Sequence, residues 1–298
     1  MTRRTMLFLW MCLLALGGCE ADDWGPKKLS HGKTLQEAQI EQLRRGRKVY
    51  ATYCVGCHGE NGDGKGKAAR FLDPKPRDFT LGLIKFARVP SGEFPRDADY
   101  LRIIDHGLSG TAMPSFRFLS VKEKRAVVAY VRNFYEEEPE APGAPVEVGE
   151  DPWFDDPEGG IAEGEKVYHG IAKCWSCHPA FVSPAKIAEY HEAYGLGKPG
   201  LRENLYESKV TDSQWGAPIR PPNFLIDRIK TGPEVENLVY VIASGVGGTA
   251  MPTWAGILEP EQLWGLAHYV HDLAMQRGSK RAIERHNALA HERSEGGK

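Results

Sequence analysis

The chain has 298 residues, with 38 Lys and Arg against 40 Asp and Glu, so its formal net charge is −2 at pH 7. This balance and a mean hydropathy of −0.43 argue against a nucleic-acid-binding protein and against a protein that crosses a membrane many times. The length suits two domains of about 100 to 200 residues each, and 41% hydrophobic residues are enough for ordinary globular cores.

The N-terminal segment is typical of an exported bacterial protein. A pair of arginines precedes an apolar run at residues 6–16, which is too short to span a bilayer and suits a signal sequence. The run ends in Leu16-Gly17-Gly18-Cys19, which resembles a bacterial lipobox and so implies cleavage before Cys19 and lipidation of its thiol. The alternative is an ordinary secretory signal that contains a cysteine. We expect a signal peptide at 1–18, a polar tether at 19–33 and a lipid anchor on the periplasmic side of a membrane.

One five-residue motif occurs twice, as Cys54-Val55-Gly56-Cys57-His58 and as Cys174-Trp175-Ser176-Cys177-His178. Two cysteines three positions apart, followed at once by a histidine, are typical of c-type haem attachment. On a helical turn, residues i and i+3 share one face, so both thiols can reach the two vinyl groups of one porphyrin. The imidazole that follows can ligate the iron. The motifs therefore predict two covalently bound haem c groups.

Cysteine pairs also occur in zinc half-sites and in redox-active dithiols. Paired zinc half-sites usually lie about 12 to 20 residues apart, much closer than these two motifs, and a dithiol does not need a histidine behind it. Of the six cysteines, the two outside the motifs are Cys12 and Cys19, in the N-terminal segment. The sequence therefore offers no further thiol in either half for a disulfide or as an iron ligand.

A second repeated motif supplies a candidate for the other axial ligand of each iron. Thr111-Ala112-Met113-Pro114 and Thr249-Ala250-Met251-Pro252 lie at matching points of the two halves. A thioether is a soft ligand for haem iron, and His/Met coordination raises its reduction potential. Most methionines are core residues instead, but a following proline biases each Met toward an extended loop conformation. The predicted iron ligands are His58 and Met113 in the first half, and His178 and Met251 in the second.

Helices are predicted at matching points of both halves. A first helix is expected to begin near Thr34 and to run into Cys54. Residues 97–106 form a short helix ending at His106, which is a rival of Met113 as a ligand, but the aligned residue in the second half is Ser244. Ser120-Val121-Lys122-Glu123 is a capping box for a later helix, and Pro260 opens its counterpart.

Two segments lie outside this repeat. Residues 136–157 are rich in acidic residues and proline and contain no Lys or Arg, which favours a solvated linker over a binding site. Residues 277–298 are rich in Lys and Arg, and we expect a frayed, solvated tail or, as the alternative, a patch for lipid head groups or a partner.

Both halves resemble the class I cytochrome c family, roughly over residues 36–135 and 158–276. Besides the haem motifs and methionine loops, the resemblance rests on one glycine and two tyrosines per half: Gly46, Tyr50 and Tyr130, then Gly164, Tyr168 and Tyr269. It implies a mainly α fold with two helical domains in tandem, at 34–135 and 158–276, each wrapped around one haem. It also implies that the first and last helices cross at the glycine, and that a proline carbonyl, with Pro76 and Pro221 as candidates, receives the N–H of the ligand histidine.

The expected function is electron transfer between redox partners of a respiratory chain, without enzymatic activity. The tandem resembles di-haem electron carriers and the cytochrome subunits of oxidase complexes, so a redox donor and an acceptor, such as an oxidase, reductase or dehydrogenase complex, are the expected partners. A di-haem peroxidase is the alternative, but it needs an iron with an open position. A thiosulfate-oxidising di-haem enzyme ranks last because such enzymes use a cysteine ligand.

Overall fold

The computed structural model describes residues 35–137 and 141–296. The predicted signal peptide at 1–18, the lipidated Cys19 and the tether at 19–33 lie outside the described residues. The chain divides into two compact units, Met1–Glu41 and Gln42–Lys298. Of the first unit, the structure describes Leu35–Glu41, which is helical, and the sites and contacts discussed below belong to the second.

The described part of the chain is mainly α-helical, which confirms the predicted fold class. The first half contains the helices α1 (Leu35–Tyr53), α2 (Val55–His58), α3 (Asp97–His106) and α4 (Val121–Val131). The second half contains α5 (Pro157–His169), α6 (Pro184–Ala193), α7 (Val235–Ser244), α8 (Pro260–Met275) and α9 (Lys280–Gly296). Two short strands, β1 (Thr211–Asp212) and β2 (Pro218–Ile219), form an antiparallel hairpin. None of the described helices is long and apolar enough to cross a membrane.

The helix that enters each haem motif crosses the later, closing helix at a glycine. A Cβ atom on Gly46 in α1 would overlap the backbone carbonyl of Ala126 in α4. A Cβ atom on Gly164 in α5 would likewise overlap the carbonyl of Gly265 in α8. Because only glycine allows such a close approach of two backbones, the crossing expected from the cytochrome resemblance is present in both halves.

The acidic segment expected to be a solvated linker is packed instead. Val146 and Val148 are buried in the core of the second half, and the Trp264 indole Nε1–H donates to the Val148 carbonyl at 2.9 Å. The Val146 N–H donates to the Arg88 carbonyl of the first half at 2.9 Å. The prediction was wrong because Val-Glu-Val alternates along extended chain, which turns both valines inward and leaves Glu147 exposed.

The basic tail is not frayed over its described part. It forms α9, in which Ala282 and His286 are buried. The His286 ring contacts the Ala180 carbonyl through Nε2 at 3.1 Å, and the Arg293 guanidinium donates to the Arg202 carbonyl at 2.7 Å. The prediction of a frayed tail was wrong because it rested on the many charged residues, whereas a few apolar positions on one face are enough to dock a helix.

Candidate haem sites

The predicted ligands of the first half line one cavity. Cys54 follows α1, and Cys57 and His58 lie in α2, while Met113 lies in the loop between α3 and α4. These four side chains line the same cavity. Most of the remaining wall is apolar, including Val127 of α4. His106, the rival ligand, is exposed, and its Nδ1 contacts the Arg102 carbonyl of its own helix at 2.9 Å.

The His58 ring is held by one hydrogen bond and one stacking contact. Its Nδ1–H donates to the Arg77 carbonyl at 2.9 Å, and the ring stacks on Phe79 with centroids 4.6 Å apart. Burial lowers the pKa of His58, against a smaller opposing effect of the bond to Arg77. The imidazole is therefore neutral, and its other nitrogen, Nε2, remains available to a metal.

His178 has the same environment in the second half. Its Nδ1–H donates to the Pro222 carbonyl at 3.0 Å, and the ring stacks on Phe224 with centroids 5.0 Å apart. Burial lowers the pKa of this imidazole too. The acceptor in the second half is thus a proline carbonyl, as the resemblance implies, but that of Pro222 next to the predicted Pro221. In the first half the acceptor is Arg77, next to the predicted Pro76.

A tyrosine of the entering helix is hydrogen-bonded to the residue that follows each haem histidine. The Tyr50 hydroxyl donates to the Gly59 carbonyl at 2.7 Å, and the Tyr168 hydroxyl donates to the Pro179 carbonyl at 2.8 Å. Both tyrosines are buried. The tyrosines predicted from the helix crossing thus have a second role, which is to fix the chain at the end of the haem motif.

The two methionine loops are fixed by the threonine that begins each repeated tetrapeptide. The Thr111 hydroxyl donates to the Leu108 carbonyl at 2.8 Å and accepts from the Met113 N–H at 3.1 Å. The Thr249 hydroxyl makes the equivalent bonds to Val246 at 2.7 Å and Met251 at 3.2 Å. The sequence alone did not predict this role of the threonines, although their recurrence in both copies of the tetrapeptide is a signal for it.

Each methionine loop begins at a glycine with a positive φ. Gly107 has φ +68° and Gly245 has φ +74°, a region that other residues rarely adopt. A Cβ atom on either would press on the carbonyl of the loop methionine at 2.7 Å. These glycines therefore let the loop fold back so that Leu108 N–H and Val246 N–H reach the carbonyls of Met113 and Met251.

Two comparisons with known proteins bear on these sites. The family model "Cytochrome C oxidase, cbb3-type, subunit III" matches residues 41–131. A chain of the reducing HAO-like protein complex of Kuenenia stuttgartiensis is 32% identical, with a TM-score of 0.63, and the alignment covers 77% of this chain and 95% of that chain. No curated protein matches. The chain belongs to the c-type cytochromes. Membership of this family implies covalently bound haem c and confirms the resemblance at that level.

The thiols of this cytochrome fit thioether attachment better than thiolate chemistry. Burial, and next the neighbouring Cys57, raises the pKa of Cys54 to about 12. Burial, and next Cys177, raises the pKa of Cys174 to about 12 as well. A redox-active thiol depends on a lowered pKa, so the raised pKa values of Cys54 and Cys174 do not suit a reactive dithiol.

The donor set of each half fits a haem. In the first cavity the cytochrome presents two thiols, a neutral imidazole and a thioether within a mostly apolar wall. In the second half Cys174, Met251 and Trp254 all pack against the buried core of that half. The second set thus repeats the first in residue type, hydrogen bonding and apolar surroundings.

Proposed function

We propose that this cytochrome carries two haems and transfers electrons between respiratory partners. The observation that carries the proposal is the repetition of one hydrogen-bonded frame in both halves: a carbonyl on the haem histidine, a tyrosine on the next residue, and a threonine on the methionine loop. A frame repeated in this detail supports one haem per half.

The residues have separate roles in this proposal. Cys54 and Cys57 hold the first haem through thioether links, and Cys174 and Cys177 hold the second. His58 with Met113, and His178 with Met251, supply the axial ligands. Each bound haem supplies one-electron redox chemistry, and the protein determines its orientation, burial and ligands.

Electron transfer without catalysis is favoured over a peroxidase by the repetition of the methionine loop. An iron with two protein ligands has no position left for a substrate, and peroxidase activity needs one that does. The equivalent bonds of Thr111 and Thr249 hold both loops in the same way. The two methionine loops therefore give no sign that one iron has a free coordination position and the other does not.

Met113→Ala and Met251→Ala test this assignment. The unaltered protein should show two low-spin ferric haems and no turnover of peroxide. Each substitution should make one haem high-spin and able to bind carbon monoxide, while the other haem and both pairs of thioether links stay unchanged. A variant whose spectrum equals that of the parent would show that its methionine is a core residue, and turnover of peroxide by the unaltered protein would support the peroxidase.

The proposed partners are a redox donor and a redox acceptor at a membrane surface. The similar chain from Kuenenia comes from a protein complex, which favours a protein partner over a free small molecule. We also propose that lipidation of Cys19 anchors the cytochrome on the periplasmic side. Cell fractionation should find it with membranes, and Cys19→Ser should release it with its haems intact. A wholly soluble parent protein would contradict the anchor.

A further inference from the structure

The two halves contact each other through a reciprocal pair of backbone hydrogen bonds. The Ser109 N–H of the first methionine loop donates to the Lys230 carbonyl at 2.8 Å. The Gly247 N–H of the second methionine loop donates to the Lys85 carbonyl at 3.1 Å. The two lysines lie equally far along the chain after the carbonyls that receive the haem histidines. Equivalent positions of the two halves therefore meet across this contact.

Lys230 has a second property that the repeat does not predict. Although it belongs to the second half, it lines the cavity that contains Cys54, Cys57, His58 and Met113. Three cations of the first half line the same cavity: Lys75, Arg77 and Lys85. The Lys75 ammonium donates to the carbonyls of Ala69 at 3.1 Å and Arg70 at 3.3 Å. The first haem site is therefore built from both halves of the chain.

Of these cations, Arg77, Lys85 and Lys230 are close enough to repel one another. Burial, followed by repulsion from Arg77 and from Lys230, lowers the pKa of Lys85 to about 8. Burial lowers the pKa of Arg77 to about 10, against the opposing effects of Asp78 and Tyr100. Positive charge in this part of the cavity is thus both poorly hydrated and mutually repulsive.

The cluster has little negative charge to balance it. No described carboxylate forms an ion pair with Arg77, Lys85 or Lys230 among residues 35–137 and 141–296. The nearest acidic neighbour of Arg77 is Asp78, whose carboxylate accepts from the Thr80 N–H at 2.9 Å. The Arg77 guanidinium stacks on Trp215 of the second half, 3.5 Å from the ring centroid. All three cations are half-buried, and a positive charge that is partly removed from water is stabilised by an anion beside it, so this part of the cavity suits an anion.

We propose that Lys230, with Arg77 and Lys85, binds the carboxylate groups of the haem attached at Cys54 and Cys57. This rests on the proposed function. A haem has two propionate carboxylates, which suit a cluster of cations at one part of an otherwise apolar cavity. Lys230 then completes a haem site in the other half of the chain and makes the potential of the first haem depend on the contact between the halves.

Lys230→Gln tests the proposal by spectroelectrochemical titration of the full-length, haem-loaded protein. Loss of a cation beside the haem should lower the reduction potential of the first haem, which is attached at Cys54 and Cys57. The reason is that a nearby positive charge favours the reduced, less positive iron. The reduction potential of the second haem should change less. Met113→His identifies which wave belongs to the first haem. Lys230→Arg should restore the potential, and Lys198→Gln, the same charge change at an exposed position of the second half, should leave both waves in place.

Several results would overturn the proposal. One is an unchanged reduction potential of the first haem in Lys230→Gln. Another is a change of that potential in Lys198→Gln equal to the change in Lys230→Gln. If the reduction potential of the first haem changes with phosphate concentration at constant ionic strength, a soluble anion occupies the cluster. Haem content separates these failures from a failure of the proposed function. If the protein carries two haems and the potential of the first is unchanged in Lys230→Gln, only the role of Lys230 is contradicted. If the parent protein carries fewer than two haems, both the proposed function and the role of Lys230 are contradicted.

Discussion

At the scale of single residues, the threonine hydroxyls of the methionine loops are the least obvious part of the site. Each hydroxyl donates to one loop carbonyl and accepts from the N–H of the methionine. A side chain that makes both bonds fixes the loop locally, as in other short turns stabilised by threonine. The position of each methionine side chain therefore depends on a threonine that is not itself a proposed iron ligand.

Thr111→Val should weaken, without removing, the proposed bond between Met113 and the iron. Valine has nearly the shape of threonine but cannot bond to Leu108 or Met113, so the loop becomes less well fixed. We expect a high-spin fraction at the first haem that grows with temperature, measured in the ferric visible spectrum. Thr111→Ser keeps the hydroxyl and is the matched control. A Thr111→Val spectrum identical to that of Thr111→Ser would contradict this role.

His169 is expected to make the stability of the protein depend on pH. It is fully buried, its Nδ1–H donates to the Glu165 carbonyl at 2.9 Å, and its Nε2 accepts from the Phe181 N–H at 3.1 Å. A proton on Nε2 would face that N–H, and burial lowers the pKa of His169 to about 4. As the pH falls from 6.5 to about 4, the unfolded chain takes up the proton first, so the free energy of unfolding should fall by about 3 kcal/mol.

Denaturant unfolding of the parent protein and His169→Gln at pH 7 and pH 4.5 measures this effect. The glutamine carbonyl can still accept from Phe181 but does not titrate in this range. The parent should lose more stability than the variant between the two pH values, while the carboxylates common to both proteins cancel. Equal losses in the two proteins would show that His169 does not titrate as proposed.

At the scale of helices, the crossings at Gly46 and Gly164 determine where each haem motif begins. In both halves a side chain at the glycine would overlap a backbone carbonyl of the closing helix. Backbone atoms cannot turn aside as a flexible side chain can, so the helices would have to separate. The haem motif directly follows the crossing helix, and its thiols would move with it.

Gly164→Ala should therefore destabilise the second half by about 1 to 3 kcal/mol or more. Gly200→Ala is the control, because no atom lies within 4 Å of a Cβ there and its φ is not positive. Thermal unfolding of both variants, followed at the haem absorbance, gives the comparison. If the two substitutions cost the same stability, the close approach of α5 and α8 is not a constraint.

The sequence predicted the elements that carry strong local signals. The helix at 97–106 and the capping box of Ser120 with Glu123 are both present. The packed segment at 141–157 and α9 were not predicted, since their few apolar side chains are separated by charged ones. The same holds for Lys230 at the first cavity, because no local pattern reveals which distant residue completes a site.

At the scale of the whole molecule, the two halves are in contact, which the repeat alone could not show. The Ser91 N–H donates to the Thr253 hydroxyl at 2.8 Å, and the Arg88 guanidinium lies 3.7 Å from the ring centroid of Tyr240. These contacts join the reciprocal bonds between the methionine loops and the paired lysines. Electron transfer between the two proposed haems would thus occur across a fixed contact, not across a flexible linker.

Each half of the chain is proposed to hold one haem on its own pair of cysteines. Intact-mass spectrometry under denaturing conditions tests it most directly, because only covalently attached haem stays with the chain. The parent protein should carry two haems, and the double variants Cys54→Ala/Cys57→Ala and Cys174→Ala/Cys177→Ala should carry one each. A parent protein with a single haem, or a double variant that still carries two, would contradict the account.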